Sequence, residues 1–164
     1  KIYGANTGFY GTTREAQERF WRNLFAGLAS IRFHRPPAGL GASGTACRNI
    51  HAARMLLERI DIFSCVPDSV KLLHRSKNEA YCTGIPGTAY AVTFPAGGYC
   101  IIELDTAPET ITVSWLDIVS KKWLEATPVA CGPDGRIPLS TPTEEGHWVG
   151  LLELHSPTAN AVQS

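Results

Sequence analysis

The hydrophobic period of the chain changes once, near Glu79, and this limits what it can fold into more than any other feature. Before that point apolar residues recur every three to four positions; beyond it they alternate, with Gly and Pro punctuation every eight to twelve residues. The first pattern belongs to helices and the second to a run of short strands. An α+β chain follows, with helices placed early and a β-rich part placed late.

The early part reads as strand, helix, strand, helix. Lys1-Ile2-Tyr3 opens as a strand. Thr12 and Glu15 have the spacing of a capping box, in which a hydroxyl and a carboxylate satisfy the free amides of a helix start. Ala16, Phe20, Leu24 and Leu28, with Phe25 beside them, give the helix from Thr13 to about Leu28 one apolar face, and Gly27 weakens its last turn. Ser30 to Arg35 alternates strictly, so Ile31 to His34 is a second strand, closed by Pro36-Pro37. Ser43 is placed to cap a second helix with a stripe of Cys47, Ile50, Ala53, Leu57 and Ile60, running to about Ile62.

Strands are expected at Glu79 to Thr83, Tyr90 to Phe94, Tyr99 to Leu104, Ile111 to Ile118, Trp123 to Val129, Arg136 to Leu139 and Trp148 to His155. Ala96-Gly97-Gly98 and Pro133-Asp134-Gly135 read as hairpin turns. Cys100, Ile102 and Leu104 oppose Tyr99, Ile101 and Glu103, as on a strand with one buried face. Seven short strands suit an antiparallel sandwich. The organisation expected is β/α units over 1–75, a β-sandwich over 76–156 and a frayed tail over 157–164.

The 164 residues hold 15 basic and 15 acidic side chains, but the balance is uneven along the chain. Residues 1–75 carry eleven basic and five acidic groups, and the remainder carries four and ten. Opposite surpluses favour docking of the two parts. The basic residues form no run and no nucleic-acid motif, and Arg14, Glu15, Glu18, Arg19 and Arg22 pair at helical spacing, so a nucleic-acid partner is not expected. No apolar run reaches the roughly 20 residues of a membrane helix, and no membrane partner is expected. Five cysteines, an odd number without a CxxC pair or metal-like spacing to His, read as buried thiols rather than ligands, so neither a metal nor any other cofactor is implied. Cys82 and Cys100 fall in strands, but sequence does not give their separation, and no disulfide is assigned.

Strand, helix, strand, helix and then a β-sandwich is the order at the end of a (β/α)8 barrel, or TIM-type barrel, with an appended domain. The run Phe20-Trp21-Arg22-Asn23-Leu24-Phe25-Ala26-Gly27-Leu28-Ala29 resembles the segment before the last barrel strand in apiosidase-like glycoside hydrolases. Tyr90 to Phe94 with Gly97-Gly98, Ser114-Trp115-Leu116-Asp117 and Trp148-Val149 resemble the β-domain that follows that barrel and is named for collagen binding. The resemblance implies sugar hydrolysis by two carboxyl groups roughly 5 to 10 Å apart across the scissile bond.

Glu15, Glu18, Glu58, Asp61 and Asp68, the acids before residue 76, fall on or after the expected helices rather than at strand ends. Either the catalytic acids lie upstream of Lys1, or the chemistry has been lost. On this reading Arg32 and His34 share a strand face near its C-terminal end, and Tyr3 and Asn6 end the neighbouring strand, together offering donors and an aromatic platform for a sugar. Arg32 and His34 read equally as exposed residues of an ordinary strand. His34 as a base and Cys47 as a nucleophile lack an evident orienting partner. Trp115, Trp123 and Trp148 read either as a sugar platform or as core, and Trp115 alternates with Val113 and Ile111 as core does. Glu103 and Asp105 read as a solvated edge. The expected partners are a carbohydrate and either an upstream barrel or a second copy of the chain. The alternative is a noncatalytic β-sandwich interaction module with a helical cap.

Overall fold

The structure is a computed structural model that describes residues 12–28, 43–76, 79–105, 108 and 110–155. The expected strands Lys1 to Tyr3 and Ile31 to His34 and the tail 157–164 lie outside the described residues. Within them the chain is a mostly antiparallel β-sheet protein with two helices.

Helix α1 spans Thr13–Phe25. The capping box forms as expected: the Glu15 amide donates to Thr12 Oγ1 at 3.3 Å, and the Thr12 amide donates to Glu15 Oε2 at 2.7 Å. Gly27 does more than weaken the last turn. At φ +72° it lets the Leu28 amide reach Asn23 O and its own amide reach Leu24 O, the bond pair that terminates a helix. Helix α2 spans Gly44–Leu57, with the Ser43 hydroxyl accepting from the Ala46 amide at 3.3 Å. It stops short of Ile62.

The apolar stripe expected on α2 is corrected. Its buried face is Ala46, Asn49, Ala52, Ala53 and Leu56, whereas Cys47, Ile50 and Leu57 are exposed. What draws Asn49 inward is Trp21 of α1, whose indole N–H donates to Asn49 Oδ1 at 2.8 Å, while Asn49 Nδ2 donates to Thr45 O at 2.8 Å. Both residues are almost wholly buried, so this bond fixes the rotation of α2 against α1.

Ten strands follow: β1 Val66–Pro67, β2 Leu72–Leu73, β3 Tyr81–Ile85, β4 Ala89–Phe94, β5 Tyr99–Glu103, β6 Thr110–Asp117, β7 Lys122–Trp123, β8 Thr127–Val129, β9 Arg136–Ser140 and β10 Trp148–His155. One sheet runs β1-β3-β4-β10-β6-β7, with β8 also on β6; the other runs β2-β5-β9. The expected strand Trp123 to Val129 is two strands, because the register against β6 slips by one residue between Leu116↔Trp123 and Val113↔Thr127. That extra residue is a bulge. Strand prolines Pro67, Pro128 and Pro138 lie in β1, β8 and β9, at sheet edges, where a missing N–H is tolerated.

The two expected hairpins are also corrected. Ala96-Gly97-Gly98 joins β4 to β5, and Pro133-Asp134-Gly135 joins β8 to β9; each connection crosses from one sheet to the other. The tight hairpins are β3–β4, where Gly87 has φ +74° behind Pro86, and β6–β7, where Lys121 takes φ +56°.

The larger sheet is covered on both faces, and alternation decides which residue faces what. Tyr90, Val92 and Phe94 of β4, Val113 and Trp115 of β6 and Leu152 of β10 share a cluster with Cys100, Ile102, Ile137 and Leu139 of the smaller sheet. Their neighbours Ala89, Ala91, Leu116, Val149 and Leu151 share a second cluster with Phe20, Trp21, Phe25, Ala53 and Leu56 of the helices. Every residue of β4 is buried. Its small residues face the helices and its large ones the other sheet, so the helices approach closely. Gly150 of β10 has little room for a side chain: a Cβ there would lie 3.0 Å from the Trp115 ring.

Candidate functional site

The four sugar-binding candidates, Tyr3, Asn6, Arg32 and His34, lie outside the described residues. Cys47, the candidate nucleophile, is on the exposed side of α2. The remaining candidates can be followed in the structure.

The early acids serve local structure. Glu15 closes the capping box, and hydrogen bonds from the Thr12 amide and hydroxyl hold its carboxyl below the usual carboxylate range. Glu18 pairs with Arg14 at 2.9 Å. Asp61 accepts from the Ser64 hydroxyl and the Phe63 amide, which lower its pKa in that order. Asp68 lies 3.8 Å from Lys71. Glu103 pairs with Arg136 and Asp105 with Lys71, at 3.0 and 2.8 Å. The Asp105 bond is also the main reason the Lys71 pKa is raised. Arg59–Glu153 and Lys71–Asp105 join the basic first part of the chain to the acidic second part.

The tryptophans divide by position. Trp115 and Trp148 are buried, with Phe94 5.8 Å from the Trp115 ring, so neither offers a platform. Trp123 is half-buried beneath the Arg59 guanidinium, 4.5 Å above its ring. Cys82 and Cys100 are buried free thiols whose pKa is pushed up by burial, Cys100 to about 12. Neither is poised for nucleophilic work.

The feature that reading from sequence missed is an apolar groove. Phe20, Leu24 and Leu28 of α1 and its end, Ile50 and Leu57 of α2, and Ile62 and Phe63 beyond it line a hollow of about 440 Å³. Phe63 is 88% exposed, Ile50 46% and Leu57 37%. The signal was in the sequence as an overly wide stripe: Ile50 and Leu57 adjoin Ala46 and Ala53 at the margin of the buried face of α2 and stay exposed. Among the described residues no helix is long and apolar enough to cross a membrane, and no three His, Cys, Asp or Glu side chains form a metal-binding group.

The fold is similar to part of known glycoside hydrolase structures. A glycoside hydrolase family 5 protein from Bacteroides vulgatus ATCC 8482 superposes with a TM-score of 0.61 at 14% identity, over 86% of this chain and 36% of that one. A second structure, described as a glycoside hydrolase, gives a TM-score of 0.62 at 13% identity over 87% and 37%. At such identity the likeness is one of fold. The chain spans little more than a third of the length of these structures. No family model matches the sequence, and no curated protein matches it.

Proposed function

We propose that this chain is the C-terminal portion of a glycoside-hydrolase-like protein of the apiosidase-like kind. Residues 1–75 are the closing β/α units of a barrel, and residues 76–156 a supporting β-sandwich of the type named for collagen binding. The observation that carries the reading is the apolar groove between the helices, where Ile50, Leu57 and Phe63 stay exposed. A barrel helix has its apolar face on barrel strands, and α1 and α2 leave apolar side chains exposed beside those the sheet buries. The fold likeness to glycoside hydrolases more than twice as long supports the same reading. Tyr3, Asn6, Arg32 and His34 are then sugar-contacting residues at the mouth of the barrel. The carboxylate pair is completed upstream of Lys1, since Glu15, Glu18, Glu103 and Asp105 are committed to a cap and to ion pairs.

Aryl pentosides and hexosides test this. The 164-residue chain alone is expected to release no aryl alcohol above background, and the chain extended upstream through about six more β/α units, roughly 170 residues or more, is expected to do so. Equal inactivity of a folded extended chain contradicts the reading.

A noncatalytic sandwich module with a helical cap is the second reading, and the close docking of Trp21, Phe25 and Leu56 on Ala91 and Leu151 favours it. Its consequence is a self-sufficient monomer. Light scattering and binding of an apolar dye separate the two: the barrel reading expects dye binding or self-association that Phe63→Asp with Ile50→Asp abolishes, whereas the cap reading expects a monomer that binds no dye.

A further inference from the structure

We infer that the β-rich part carries a carbohydrate-binding groove of its own, centred on Tyr99 and separate from the Tyr3, Asn6, Arg32 and His34 candidates. Three stretches far apart in sequence meet at one end of the smaller sheet: Glu79 ahead of β3, Gly97 to Tyr99 at the β4-to-β5 crossing, and Ser140 to Glu144 after β9. They enclose a hollow of about 430 Å³. A neighbouring hollow of about 290 Å³ shares Glu79 and Gly97 with it and reaches Arg14 and Glu18 in the first turns of α1. The two hollows thus lie side by side between Tyr99 and the N-terminal end of α1.

Its walls are built before any ligand arrives. The Gly98 amide donates to Thr141 Oγ1 at 2.8 Å, the Thr141 hydroxyl donates to Thr143 O at 2.8 Å, and the Trp148 indole N–H reaches Thr143 Oγ1 at 3.2 Å. Gly97 lies so close to the next wall that a Cβ would sit 2.0 Å from Glu144 O. These bonds engage the threonine hydroxyls and leave other lining groups for a ligand. The Tyr99 ring is 42% exposed. Among the described residues the Glu144 carboxylate has no hydrogen-bond or ion-pair partner, and Glu79 uses one oxygen, Oε2, on the Ser76 amide.

An exposed ring beside two carboxylates suits a ligand with an apolar face and an edge of hydroxyl donors. A pyranose or furanose ring has both: its C–H face packs on the aromatic ring, and neighbouring hydroxyls donate charge-assisted bonds to a carboxylate. Anionic ligands are repelled by the same carboxylates, and the described residues form no three-ligand metal group. Two neighbouring hollows suit more than one sugar ring of a linear oligosaccharide. The placement of this groove rests on the barrel reading: a barrel helix begins at the C-terminal end of its preceding strand, the side on which such enzymes build their active sites. The N-terminal end of α1 would bring the groove to that side, as a distal subsite for a chain under hydrolysis. The binding itself does not depend on that placement.

The test titrates the ¹⁵N-labelled 164-residue chain with cellohexaose, xylohexaose, mannohexaose and arabinohexaose. At least one is expected to give saturable shifts at Glu79, Gly97 to Tyr99 and Ser140 to Glu144. Tyr99→Ala and Glu144→Gln, each with its native spectrum retained, should weaken it about tenfold, and Tyr99→Phe should weaken it less. Absence of binding by all four at millimolar concentration, shifts confined to another surface, or wild-type affinity in a folded Tyr99→Ala chain overturns the inference. Any of these leaves the barrel reading intact, because that reading is judged on the upstream-extended chain.

Discussion

Trp21→Phe separates a helical layer that is part of the core from one that merely rests on it. Phe fills most of the apolar volume but has no N–H, so Asn49 Oδ1 loses its 2.8 Å donor in a place from which water is excluded. Leaving a buried acceptor unpaired costs about 1–3 kcal/mol, and the lost ring volume adds about 1 kcal/mol, for a destabilisation of about 3 kcal/mol. For a chain of this size that lowers the Tm by roughly 6–12 °C. Asn49→Ala should lose a similar amount, since it strands the indole N–H. The double variant should lose about 1–2 kcal/mol less than the sum, because the second change removes a partner already orphaned. Urea unfolding followed by far-UV circular dichroism and by indole fluorescence measures this, with coincident transitions showing that helices and sheets unfold together. A loss below about 1 kcal/mol, strict additivity, or an early separate helical transition refutes the reasoning.

Thiol labelling of the native chain should modify exposed Cys47 first, and buried Cys82 and Cys100 only at the rate of unfolding; fast labelling of either strand thiol contradicts the packing between the sheets. Glu15 and Asp61 have folded pKa values below their ordinary ones, so their contribution is present above about pH 4 and is lost as pH falls through the folded values. Glu15→Gln with Asp61→Asn should therefore lower stability at neutral pH and flatten its fall in acid, and an unchanged acid slope counts against both caps. Glu103→Gln and Asp105→Asn should leave the isolated chain as inactive on aryl glycosides as before, and turnover that either abolishes would move the active site into the β-rich part.

The sequence disclosed local structure well and non-local structure unevenly. Thr12, Glu15 and Ser43 are legible because a cap is settled within three residues, and Cys100, Ile102 and Leu104 because one face of β5 is wet. The sheet crossings at Gly97 and Gly135 were misread as hairpins because turn chemistry reports a change of direction, not which strand the chain pairs with next. The face of α2 was set at the wrong rotation because its apolar arc is wider than the part that is buried, and only the partner of Asn49 shows which part turns inward. β1 and β2 were missed because two residues carry no period. The Tyr99 groove was illegible because its walls come from stretches separated by about 20 and 40 residues that only the folded topology brings together.

The central claim is that the helices close a barrel, and it is met most directly by solving the structure of the chain joined to its upstream region. The account predicts Lys1 to Tyr3 and Ile31 to His34 as adjacent parallel strands, with α1 crossing between them in the right-handed sense and Ile50, Leu57 and Phe63 covered by the barrel. Antiparallel or unpaired segments there, or a groove still open to solvent, would contradict it.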